Sequence, residues 1–211
     1  MENMESLLKK IRGVEEKNIM NLINQRWEEF KKLGKKGNNE WFKELCFCIL
    51  TANSPAKAGI KTQKIVGDGF LTLNLEELYK KLKTTGQRFP RKKAEYIINA
   101  RQYSQSIKDR VKSFGNGKKA REWLANNILG IGMKEASHFL RNVGYDDVAI
   151  IDRHIVNLLV EHNMVSRPNT ITKRKYIDVE KVVEILAKET GIPLGKLDLI
   201  MWYIKTGKVM K

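Results

Sequence analysis

The stretch Asn127 to Leu158, NILGIGMKEASHFLRNVGYDDVAIIDRHIVNL, decides how the rest of the chain is read. Within it Leu129-Gly130-Ile131-Gly132 sets two glycines between apolar residues. Met133 to Leu140 then carries apolar positions at helical spacing until Asn142-Val143-Gly144 stops it. The pattern predicts a helix, a tight glycine turn and a second helix. Glycines there let the backbone approach a partner closely, and the N–H groups that open the second helix suit an anion such as phosphate. Lys134 falls in the first turn of that helix, where the dipole disfavours a cation, so its presence asks for a reason. The run Val148-Ala149-Ile150-Ile151 ends in Asp152-Arg153-His154, which sets a carboxylate at the edge of a buried segment.

The chain has 211 residues, 42% of them hydrophobic, enough apolar surface for one large domain or two small ones. Forty Lys and Arg against 24 Asp and Glu give a net charge of +16. An excess of that size is more than solubility asks for, and it points to a polyanion, with nucleic acid first. An anionic membrane surface fits less well, because no basic stretch is joined to a long apolar face and no segment approaches the roughly 20 apolar residues of a span. The polar, acidic start Met1 to Ser6 lacks the basic-then-apolar order of a signal peptide, so the expected location is the cytoplasm, with the nucleoid. Cys46 and Cys48 lie in the apolar run Leu45 to Leu50 and suit reduced, buried thiols. Two cysteines and three scattered histidines supply no iron–sulfur or zinc ligand set, so no metal site is expected.

No segment alternates as an amphipathic strand should, and the expected class is all-α. Helices are predicted before and after a break near Gly13, over 40–51, 56–66, 73–82, 94–106, 178–189 and 194–204, with a basic loop over 34–39. Asn53 and Ser54 directly follow a strongly apolar helix; they are either a capping turn or polar groups delivered to the surface for use. The loop Thr84 to Lys93 crowds Arg88, Arg91, Lys92 and Lys93 around Phe89, which is either a base-stacking wedge or a buried anchor. Asp146 and Asp147, in the polar turn after Tyr145, read as exposed.

If the glycine turn grips a phosphate, Lys134 stands beside a DNA strand. A lysine is a nucleophile when neutral, a form that burial or a neighbouring cation favours. Its attack on the anomeric carbon of a deoxyribose needs a negative charge nearby, which Asp152 supplies. The base must then leave the stack, and His138 and Arg141, one and two turns past Lys134, fall on the side that would line its pocket. The plainer readings are a solvated lysine and a helix-capping aspartate, the second compatible with catalysis.

The order Leu-x-Gly-Ile-Gly-x-Lys followed by an aspartate at the end of an apolar run resembles the helix-hairpin-helix DNA glycosylase superfamily. Within it, Leu129 to Gly144 is similar to the type 2 archaeal and bacterial 8-oxoguanine DNA glycosylase/lyases. The likeness extends to Leu50-Thr51-Ala52-Asn53, Arg88-Phe89-Pro90, Lys93-Ala94, Ile151 to His154 and the tail from Trp202 to Lys211.

That resemblance implies two helical domains flanking an active-site cleft. Residues 36–146 would be a six-helix bundle ending in the hairpin, and 1–35 with 147–211 the second domain. It makes Lys134 the Schiff-base nucleophile and Asp152 its partner, with strand cleavage by β-elimination. Gly130, Gly132 and His154 would hold phosphates, and no cofactor is expected beyond a monovalent cation that could bridge the hairpin and a DNA phosphate. Asn53 would fill the gap left by the flipped base and Phe89 would wedge beside the opposite one, with Arg88 and Arg91 on the same DNA-binding rim. His138, Trp202 and the carboxylate of Lys211 would read the base. The implied partner is double-stranded DNA containing 8-oxoguanine, bound by a monomer, with no membrane involved. The alternatives are a glycosylase for another damaged purine and a helix-hairpin-helix module that only binds DNA.

Overall fold

The computed structural model describes residues 2–211, and among them there are helices and no strand. In chain order these are α1 (Glu2–Glu15), α2 (Ile19–Lys35), α3 (Asn38–Thr51), α4 (Ala56–Val66), α5 (Gly69–Thr72), α6 (Leu75–Thr84) and α7 (Pro90–Ala100). There follow α8 (Ile107–Ser113), α9 (Gly117–Asn127), α10 (Met133–Asn142), α11 (Arg153–Glu161), α12 (Lys173–Thr190) and α13 (Leu194–Thr206). The all-α expectation holds. No helix among the described residues is long and apolar enough to cross a membrane.

Two hydrophobic clusters organise the helices. One is built on α3, whose Trp41, Phe42, Leu45, Phe47, Ile49 and Leu50 are all buried, and takes in residues of α6 to α10. The other joins Leu7, Leu8, Ile11, Ile23, Trp27 and Phe30 of α1 and α2 to the inner faces of α11, α12 and α13. Cys46 and Cys48 are free and buried, and burial pushes both thiols well above their ordinary range.

Several boundaries differ from the sequence expectation. The first helix does not break at Gly13; it runs on to Glu15, because Leu7, Leu8, Ile11 and Val14 bury one continuous face, which offsets the roughly 1 kcal/mol that a helical glycine costs. The basic loop over 34–39 shrinks to Lys36 and Gly37. Gly34 stays helical for a packing reason: a Cβ there would lie 2.2 Å from the carbonyl oxygen of Val143, where α2 passes the end of α10. The helix expected from Ala94 begins at Pro90, whose fixed φ suits a first helical position, and ends at Ala100 before a short 3-10 turn. Arg91, Lys92 and Lys93 are therefore helical. The helix expected from Asp178 starts at Lys173 with the Thr172 hydroxyl as its cap. Asp147 is not exposed as expected: its Oδ2 accepts from the Gly117 N–H at 2.8 Å and holds the start of α9, while Asp146 is exposed.

The segment Val148 to Ile151 is buried yet belongs to no sheet, so its polar backbone needs side-chain partners. Glu180 Oε1 accepts from Ala149 N at 2.9 Å, the Tyr176 hydroxyl accepts from Ile151 N at 3.0 Å, and that hydroxyl lies 2.8 Å from the Ala149 oxygen. Those bonds fix the direction in which the segment delivers Asp152.

Candidate active site

The turn between α9 and α10 is closed by Ile131 N donating to Ile128 O at 3.2 Å. Gly130 has φ +81°, and a Cβ on it would meet the Tyr96 ring at 2.4 Å, so both conformation and space demand glycine. Leu129 stands 51% exposed at the tip. Gly132 caps α10 in an extended conformation, its N–H donating to Glu135 Oε2 at 3.4 Å. The next N–H groups have no intrahelical acceptor and face outward at the positive end of the helix.

Beside this hairpin opens a cavity of about 590 Å3. Helix α10 lends it Lys134, His138 and Arg141, the start of α11 lends Asp152, Arg153 and His154, and α13 lends Asp198 and Trp202. Asn53 and Arg88 stand in its wall from two loops, and Lys211 closes it from the chain end. Five Lys and Arg side chains thus face two aspartates, a field suited to a polyanion.

Asp152 caps α11 through one oxygen, Oδ1, which accepts from His154 N at 2.8 Å and Ile155 N at 2.9 Å. Lys134 Nζ lies 3.2 Å from Glu135 Oε1, with the lysine side chain 37% exposed. Deeper in, Arg141 Nη1 meets Asp198 Oδ2 at 2.6 Å, both nearly sealed from solvent. Burial pushes the Asp198 carboxyl up to about 6 against the pull of that guanidinium.

His138 sits one turn below Lys134, 7% exposed and edge-on to the Phe47 ring at 5.4 Å. Burial holds its imidazole well below the ordinary range, with Arg141, Lys134 and Lys211 pushing the same way. The ring is neutral, and its buried Nε2 has no hydrogen-bond partner. Such an orphan in a cavity wall is a place for a ligand atom.

The model of the 8-oxoguanine DNA glycosylase family matches residues 23–192. The chain belongs to that family. A relative in Methanocaldococcus jannaschii, an 8-oxoguanine DNA glycosylase/AP lyase, is 56% identical over 206 residues, covering 97% of this chain and 99% of its own. One of the same name in Thermotoga maritima is 45% identical over 210 residues, covering 99% and 100%. The crystal structure of the M. jannaschii enzyme in complex with 15mer DNA containing 8-oxoguanine matches with a TM-score of 0.94 and 55% identity, over 98% of this chain and 100% of that one.

In this family member the cavity brings together Lys134, Asp152, His138, His154, Trp202, Lys211, Asn53 and Arg88 from the residues singled out in the sequence. His154 and Trp202 face each other edge-on at 6.0 Å. Gly130, Gly132, Phe89 and Arg91 lie outside its lining. Phe89 is 60% exposed and left-handed at φ +54°, so it is not a buried anchor. Arg91 pairs with Glu76 and Glu95 and lies over the Tyr79 ring. Sequence reading passed over Asp198 and Glu44. Their signal was available: each is an acid inside an apolar helix, and a buried acid requires a partner.

Proposed function

We propose that the chain is an 8-oxoguanine DNA glycosylase/AP lyase in which Lys134 is the nucleophile and Asp152 its carboxylate partner. One observation carries the reading: Lys134 and Asp152, from different helices, share a cavity in which the buried Nε2 of His138 lacks a partner. A module that only binds DNA has no use for that set.

The damaged nucleotide leaves the stack and enters the cavity. The Lys134 amine, as the free base, attacks C1′, the glycosidic bond breaks, and the base departs with the bonding electrons and takes up a proton. Asp152 steadies the positive charge that develops on the sugar. The Lys134 nitrogen gives up a proton and its lone pair opens the sugar ring, the C1′–O4′ bond breaking and O4′ taking up a proton, to leave a protonated Schiff base at C1′; a proton then leaves C2′, and the 3′ phosphate departs with the electrons of the C3′–O bond. His138, Trp202 and Lys211 read the base, while Gly130, Gly132 and His154 bind phosphates and Arg88 lines the approach. Asn53 and Phe89 occupy the two sides of the emptied stack. The substrate is duplex DNA, the working unit is a monomer, and the site of action is the nucleoid.

A monovalent cation fits the hairpin as an auxiliary. Among the described residues no three His, Cys, Asp or Glu side chains gather for a metal, whereas the turn over residues 129–131 offers backbone carbonyls, hard neutral donors suited to a singly charged ion. Held there by the backbone of residues 129–131, it would supply positive charge for a nearby DNA phosphate.

Borohydride added during reaction with an 8-oxoguanine duplex tests the reading. A covalent protein–DNA adduct is expected from the wild type and none from Lys134→Gln. No adduct from the wild type, or an adduct from the variant, overturns the mechanism.

A further inference from the structure

Lys93, on α7, is 4% exposed and has no carboxylate partner among the described residues. Its ammonium instead donates to Leu50 O at 2.6 Å, Ser54 Oγ at 2.8 Å and Gln87 Oε1 at 3.3 Å. Three donors meet three neutral acceptors, which use its full hydrogen-bonding capacity. A buried cation without a counter-ion is costly to keep, and a methionine of similar length would fill the same space without that cost. Burial, with Arg88 adding to it and Glu135 opposing, holds its pKa down to about 8.

The acceptors lie on the last turn of α3 and on two separate loops. Leu50 and Ser54 bracket Asn53, and Gln87 lies two residues before Phe89. Asn53 and Phe89 both have left-handed backbones, at φ +53° and +54°, a conformation that non-glycine residues keep only when their surroundings enforce it. Both side chains are exposed, Phe89 with the Arg88 guanidinium 5.8 Å from its ring centre. The tie continues inward: Gln87 Nε2 donates to Thr62 Oγ1 at 2.9 Å, and Thr62 to Thr85 Oγ1 at 2.9 Å, anchoring the second loop on α4.

We infer that Lys93 is a positioning residue that locks the Asn53 loop and the Phe89 loop into one unit, so that the two side chains enter the duplex together. The inference rests on the proposed function above. Mere capping of α3 would account for the bond to Leu50 O alone; the bonds to Ser54 and Gln87 reach past the helix to the two loops.

Lys93→Met keeps the buried volume and removes every donor. Three measurements read it: single-turnover excision of 8-oxoguanine, the fluorescence of 2-aminopurine beside the opposite base as a report of unstacking, and borohydride trapping on a preformed abasic site. An abasic site has no base to extrude, so trapping there depends on Lys134 and little on the loops. Excision and the 2-aminopurine signal are expected to fall, excision by about tenfold to a hundredfold, while trapping stays within about twofold. Gln87→Leu, which cuts only the Phe89 side, is expected to lower excision by a smaller factor and serves if the first variant does not fold. Unchanged excision, or trapping that falls in step with it, overturns the inference. Failure of the wild type to excise 8-oxoguanine would sink the underlying reading instead.

Discussion

The ammonium of Lys211, the last residue, lies 2.7 Å from Oε2 of Glu44, a carboxylate sealed inside the first hydrophobic cluster. Gln63 Oε1 stands 2.6 Å from the same ammonium and the Phe47 ring centre 4.3 Å. Glu44 Oε1 accepts from Asn142 Nδ2 at 2.7 Å, so the socket is fixed from α10 as well. The side chain of Lys211 is thereby held down, and its backbone is within hydrogen-bonding reach of His138.

This makes Glu44 the anchor of the chain end. Charged hydrogen bonds of this kind contribute about 1.5–3 kcal/mol, so Glu44→Gln is expected to lower the preference for 8-oxoguanine over guanine by roughly tenfold or more. Deleting Lys211 should act in the same direction and further. Excision rates on paired damaged and undamaged duplexes check both, and an unchanged preference after the deletion would remove Lys211 from base recognition.

Asp152 holds two backbone N–H groups with one oxygen, and an asparagine oxygen can do the same. Asp152→Asn is therefore expected to keep its melting temperature while base removal slows by about 10²- to 10⁴-fold. Asp152→Ala adds the loss of the cap, about 1 kcal/mol. Equal losses of excision and DNA binding in the asparagine variant would recast Asp152 as a cap alone.

The site was legible where its parts are local. Gly130, Gly132, Lys134 and His138 fall within nine residues, so helical spacing alone sets the latter two on one face. What escaped depends on distance along the chain. Glu44 pairs with a residue 167 positions away and Arg141 with one 57 away, and a sequence displays an acid in an apolar run without displaying its partner. The misplaced boundaries have a related cause. Gly34 looks like a helix breaker until the Val143 carbonyl is set against it, and the exposure of Phe89 follows from a left-handed backbone that no local pattern announces.

Arg121 and Glu180 join the two clusters through a two-pronged pair, 2.5 and 2.7 Å, with both side chains nearly inaccessible. The same carboxylate holds Ala149 N, and Ser137 Oγ lies 3.2 Å from the guanidinium. Removing one partner leaves a buried charge uncompensated. Glu180→Gln or Arg121→Met is expected to cost about 3–5 kcal/mol in denaturant unfolding, and replacing both with apolar residues should recover much of it. A loss below about 1 kcal/mol for either single variant would place the pair in contact with water.

His138 gives the stability a pH dependence whose sign follows from its burial. In the folded chain its pKa is held well below the ordinary 6.5, so on acidification the unfolded chain takes up a proton that the folded chain does not. The contribution is complete above 6.5 and is lost as pH falls below it, with a slope that approaches about 1.4 kcal/mol per pH unit. His138→Asn carries no such group. Urea unfolding of both proteins at pH 7, 6 and 5 should show the wild type losing stability faster than the variant. Parallel losses would mean that the ring gains a proton within the fold, in which case Nε2 could not accept a hydrogen bond from a flipped base.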